Sequence, residues 1–111
     1  RAMMRREMDA VFSRVDVLLA PTSPTVAFKL GERSGDPLAM YLSDVYSVTA
    51  NLCGIPAISL PCGRSRDGLP IGLQFLCGRF QEPTLFRVAR AYEQNSGNRH
   101  VWPPEPGGLR R

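Results

Sequence analysis

The residue most suited to chemistry is Asp44, three positions after Tyr41 and seven before Asn51. On a helix, Tyr41, Asp44, Ser47 and Asn51 fall on one polar stripe beside an apolar one. Two readings fit. Either the stripe is a helix edge touching water, or it is the wall of a cleft in which a carboxylate faces a cationic substrate group. A buried carboxylate is costly without such a partner. Hydroxyls are plentiful, but none sits in a G-x-S-x-G elbow. A serine nucleophile needs a base within reach, and Lys29, His100 and the carboxylates show no spacing that favours a pairing. A Cys62–His100 pair is conceivable, but that histidine stands in a Pro-rich tail. The three cysteines (Cys53, Cys62 and Cys77) lack C-x-x-C spacing, so no zinc site is expected. Gly31 and Gly35 lack the spacing of a phosphate loop.

Helices and strands must position these groups. Met4, Met8, Val11, Phe12 and Val15 recur at helical spacing and predict a helix over residues 2–13. Residues 17–20 form a short apolar run stopped by Pro21, expected as a buried strand. Residues 22–35 are expected as a loop. Asp36-Pro37 is a helix start, with Asp36 as N-cap and Pro37 in the first turn. Leu38, Tyr41, Leu42, Val45, Val48 and Leu52 then form an apolar stripe, which predicts one helix ending at a left-handed Gly54 before Pro56. Residues 57–60 are expected as a strand. Asp67-Gly68 marks a turn, and the alternation over residues 71–77 is a second strand. The two strands either pair as a hairpin or share a sheet with something between them. A last helix opens at Pro83, with Leu85, Val88, Ala89 and Tyr92 on its buried face. Mixed order of this kind is α/β.

Length and charge narrow the classes. The chain has 111 residues, 43% hydrophobic, which is one domain at most and too apolar for disorder. Its net charge is +4, carried almost wholly by arginine, since Lys29 is the only lysine. Arg5 and Arg6 lie among Glu7 and Asp9, as on a solvated helix face, and no aromatics interleave with them as in a nucleic-acid patch. No apolar run approaches the ~20 residues of a membrane span. Free thiols in apolar runs suit a reducing cytoplasm. Because Arg1 opens directly on a helical pattern, the chain is expected to be a piece of a longer protein. Residues 1–94 form its folded part. Residues 95–111 form a Pro/Gly-rich surface tail in which Val101 and Trp102 could touch the body.

Several blocks, in order, resemble the C-terminal part of amidase-signature enzymes. They are D-V-L-L-A-P-T-S-P (residues 16–24), N-L-C-G-I-P-A-I-S-L-P-C-G (51–63) and G-L-P-I-G-L-Q-F-L-C-G (68–78). A-F-K-L-G-E (27–32) followed by D-P-L-A-M-Y-L-S-D (36–44) is narrower, and is similar to the A subunits of tRNA-dependent amidotransferases. Cys53 and Ser47 depart from the more usual alanine and threonine, and the tail after Gln94 matches no family pattern. The resemblance implies a mixed β-sheet core covered by α-helices. It also implies amide hydrolysis by two serines and a lysine, all belonging to parts of the family absent from this chain; Lys29 is not that lysine. No catalytic residue is therefore expected here, and the 111-residue piece alone is expected to be inactive. What the resemblance leaves to this chain is substrate binding: Asp44 matches the aspartate that holds the α-ammonium of glutamine, with Tyr41 and Asn51 as weaker candidates. The implied context is cytoplasmic, with B-like and C-like partner subunits and misacylated Glu-tRNA(Gln), or Asp-tRNA(Asn), as acceptor. ATP and magnesium are used by the partner, and no cofactor is bound by this chain. A stand-alone amidase acting on small carboxamides is the alternative, and a non-catalytic binding module a third.

Overall fold

The computed structural model describes residues 1–98. His100, Val101, Trp102 and the rest of the tail lie outside them, and with them the Cys62–His100 pairing. The elements run α1 (Ala2–Phe12), β1 (Val17–Pro21), α2 (Pro37–Leu42), α3 (Val48–Cys53), β2 (Ala57–Arg64), β3 (Pro70–Cys77) and α4 (Glu82–Asn95). The two later strands form a hairpin, and β1 joins it from the other side. The sheet order is β1-β3-β2 and both pairings are antiparallel. The hairpin turns at Asp67-Gly68, where Gly68 adopts a φ of +81° and its N–H bonds Ser65 O at 3.0 Å. β2 runs past Pro61 to Arg64, beyond the expected end. It is an edge strand, and a register shift between Pro61 and Gly63 accommodates the proline.

β3 is the central strand, and its residues from Gln74 to Cys77 are buried on both faces. Leu76 packs with Cys53 and Ile55, against Met4, Met8 and Phe12 of α1. Phe75 and Cys77 face the other way and pack with Leu85 of α4. There the Phe75 and Tyr92 rings meet edge to face, with centroids 5.7 Å apart. Helices thus cover both faces of the sheet, as an α/β arrangement requires.

Two expectations are corrected. The single helix over residues 36–54 is two short ones, α2 and α3, with a turn over residues 43–47 between them. In that turn the N–H groups of Ser43, Asp44 and Val45 reach back only three residues, to Met40, Tyr41 and Leu42. The Ser43 hydroxyl bonds Ala39 O at 2.9 Å and the Ser47 hydroxyl bonds Asp44 O at 3.1 Å. Serine hydroxyls compete in this way for the carbonyls a continuous helix needs. The apolar stripe is consequently not a buried face, and Leu38 and Tyr41 are 66% and 72% exposed. Arg5 is also not a merely solvated side chain. Its Nε donates to Cys53 O at 3.1 Å while Arg1 Nε donates to Leu52 O at 3.0 Å, so two arginines at the start of the chain satisfy the C-terminal carbonyls of α3.

Candidate substrate-binding site

The site is built from the turn that carries Asp44. Asp36 starts α2 as expected: Oδ1 accepts from the N–H groups of Leu38 at 3.1 Å and Ala39 at 3.0 Å, with Pro37 in the first turn. After Leu42 the chain turns, and the Asp44 carbonyl accepts from the N–H groups of Ser47 and Val48, both at 3.0 Å. Its backbone is therefore fixed on both sides. Its carboxylate is exposed and, among the described residues, has neither a hydrogen bond nor an ion-pair partner. A fixed backbone with an unclaimed anionic head is suited to receive a cationic group.

Tyr41 is tied to Asp44 through its carbonyl, which accepts the Asp44 N–H at 3.3 Å. Asn51 is exposed on α3, beyond the break. The four residues therefore do not form one continuous helical stripe. Among the described residues, no three His, Cys, Asp or Glu side chains are grouped as a metal site.

Two residues missed in the sequence, Gln74 and Arg33, hold this region together. Gln74, on β3, is 4% exposed, and its Nε2 donates to Pro21 O at 3.0 Å and to Tyr46 O at 2.9 Å. The available signal was a lone carboxamide in a strand otherwise apolar from Leu73 to Cys77. Arg33 reaches from the loop before α2: Nη1 donates to Ser43 Oγ at 2.7 Å and Nη2 to Thr25 Oγ1 at 2.9 Å. Its guanidinium lies 4.0 Å from the Phe28 ring centroid. No sequence periodicity marks a loop arginine of this kind. Gly72 lies beneath the Thr22 and Ser59 hydroxyls, which share a 2.6 Å hydrogen bond; a Cβ there would stand 3.0 Å from both oxygens. Gly72, Thr22 and Ser59 line a groove of about 630 Å³ between the 22–28 segment and the β2–β3 hairpin, which does not include Asp44.

Known proteins share this architecture. The chain is 57% identical over 93 residues to the A subunit of glutamyl-tRNA(Gln) amidotransferase from Koribacter versatilis, covering 84% of this chain and 19% of that protein. The solved structure of the glutamyl-tRNA(Gln) amidotransferase A subunit from Thermotoga maritima superposes with a TM-score of 0.79 at 49% identity, over 83% of this chain and 20% of that one. The structure of 6-aminohexanoate cyclic dimer hydrolase complexed with substrate superposes with a TM-score of 0.71 at 31% identity, over 83% of this chain and 21% of that one. The chain thus spans about one fifth of the length of the relatives it matches. Residues 1–86 match the family model described as Amidase, and the chain belongs to the amidase family.

Proposed function

We propose that this chain is the substrate-side, C-terminal part of an amidotransferase A subunit that hydrolyses glutamine, releasing ammonia for the transamidation of misacylated Glu-tRNA(Gln) or Asp-tRNA(Asn) in the cytoplasm. Asp44 is the single observation that carries the reading. It is an exposed carboxylate with no partner among the described residues, on a turn whose backbone is fixed. It stands in a block that suits an amino-acid amide better than a simple one. In this reading the carboxylate binds the α-ammonium of glutamine, while Tyr41 and Asn51 flank it. The serines and lysine that attack the amide belong to the rest of the protein. Magnesium and ATP serve a B-like partner that activates the acceptor, and a C-like subunit completes the complex. Among the described residues the chain offers no cluster of acidic, histidine or cysteine ligands for a metal of its own.

The test is Asp44→Asn in the full-length subunit within its complex. In this reading the bound glutamine and the rest of the protein cover Asp44, and losing one member of such a desolvated charge pair costs about 2–5 kcal/mol. Since about 1.4 kcal/mol is tenfold, KM for glutamine should rise roughly 30-fold or more. A KM within about threefold of the parent overturns the assignment. The 31% identity to a cyclic dimer hydrolase supports a second reading, a stand-alone amidase. That reading predicts turnover of small carboxamides lacking an α-ammonium at least as fast as turnover of glutamine, and no co-purifying partner subunits.

A further inference from the structure

Gln74 is the one buried polar side chain in the core of the described residues. Its carboxamide lies within a strand whose next three residues are all buried and apolar. A buried amide is tolerated when its donors are paired, and here both Nε2 protons have a carbonyl: Pro21 O at 3.0 Å and Tyr46 O at 2.9 Å. The first partner closes β1 against β3 and belongs to the sheet. The second does not. Tyr46 lies in the turn between α2 and α3, two residues after Asp44, and Gln74 reaches it from the central strand.

Among the described residues, side chains from elsewhere hydrogen-bond to the turn at two points. Ser43, immediately before Asp44, accepts from Arg33, which stands in the loop between β1 and α2. Tyr46 accepts from Gln74, which stands on a strand paired on both sides. The remaining bonds of the turn are local ones along the chain. Gln74 is therefore the hydrogen-bond link, among the described residues, between the sheet and the backbone that carries Asp44.

We infer that Gln74 is a positioning residue for substrate selection: by holding the Tyr46 carbonyl, it sets where the Asp44 carboxylate stands relative to the α-ammonium of the amide substrate. This rests on the glutamine reading given above. A carboxylate displaced by a small distance still carries its charge but loses directed hydrogen bonding to the ammonium. The loss therefore falls on substrates that have that ammonium and spares those that lack it.

The experiment compares glutamine with its analogue lacking the α-amino group, in the full-length subunit within its complex. The readout is the ratio of kcat/KM for the two amides. Gln74→Met removes both donors at similar volume, and the preference for glutamine should fall about tenfold. Gln74→Asn, which keeps a buried carboxamide one methylene shorter, gives a fall in the same direction and serves if the methionine variant does not assemble. Combining Gln74→Met with Asp44→Asn should lower the preference by no more than about twofold beyond Asp44→Asn alone, because the two act through one contact. Equal losses on both amides mean that Gln74 only supports the fold, and overturn the inference. If Asp44→Asn collapses the preference and the Gln74 variants leave it intact, the inference fails and the glutamine reading stands. If Asp44→Asn itself leaves the preference intact, the glutamine reading is what fails.

Discussion

At Cys77 burial and charge act in the same direction. The side chain is 0% exposed, against Phe75 and Leu85, and burial pushes its thiol above the ordinary value of 9.0, with the Asp16 carboxylate adding to the shift. The thiol is neutral when protonated, so the folded state holds its proton to higher pH than the unfolded chain does. The stability this gives is fully present below that ordinary value of 9.0, which the unfolded chain keeps. It is lost as pH rises through that value toward the folded one, because the unfolded chain then gives up its proton more readily. The melting temperature of the protein should therefore fall between neutral pH and about pH 10, and fall less steeply in Cys77→Ala. A Cys77→Ala variant with an unchanged slope would show that other groups govern alkaline stability. The same burial keeps Cys77 and Cys53 unreactive, whereas Cys62 is only half-buried. Asp44 is the opposite case. Its candidacy rests on the sequence block that carries it, and the structure adds only that its carboxylate is exposed on a turn. Gln74 was not legible in the sequence, because a strand pattern cannot tell that both faces of β3 are covered until the helices are in place.

Among the elements, α2 tests how a short helix is held. It has six residues, no buried side chain, and a start secured by Asp36 Oδ1 on two N–H groups. Isolated helices of this length are unstable, so the cap matters more than it would on a long helix. Asp36→Ala should cost about 1 kcal/mol of stability and loosen the segment leading to Asp44. Amide hydrogen exchange over residues 37–44 should then quicken relative to α4. Exchange unchanged there would mean that contacts from outside the described residues hold α2 instead. The capped start and the Gly54 stop were both legible, since each depends on one residue and its immediate neighbours. The break between them was not. The apolar spacing continues across residues 43–47, while the Ser43 and Ser47 hydroxyls take backbone carbonyls there and Arg33 donates to Ser43. Strands fared similarly: β1 and β3 were read from local pattern, but the antiparallel order β1-β3-β2 depends on pairings across more than 50 residues. Such pairings leave no periodic trace.

For the whole molecule the balance of buried and exposed apolar surface decides the outcome. Among the described residues, seven hydrophobic side chains are buried, and two of the three strands are edges. Chains of this size bury a smaller fraction of their surface than larger domains do, and have less stability to spare. Against that core stands an exposed row on α2 and the following turn: Leu38, Tyr41, Leu42 and Val45, from 41% to 72% exposed. Contiguous apolar surface of this kind, beside open strand edges, drives association. Pro21 at the end of β1 and Pro61 in β2 blunt the edges but leave the helical face uncovered. No described helix is long and apolar enough to cross a membrane. The 111-residue chain expressed alone should therefore sediment as a concentration-dependent mixture above its 12.3 kDa monomer mass and bind an apolar fluorescent dye. Leu38→Glu together with Val45→Lys should shift it toward monomer, because both side chains are exposed and neither belongs to the packed clusters. A parent chain that sediments as one monomeric species, binds no dye and unfolds in a single cooperative step would show that the small core suffices and that the exposed row carries no drive to associate.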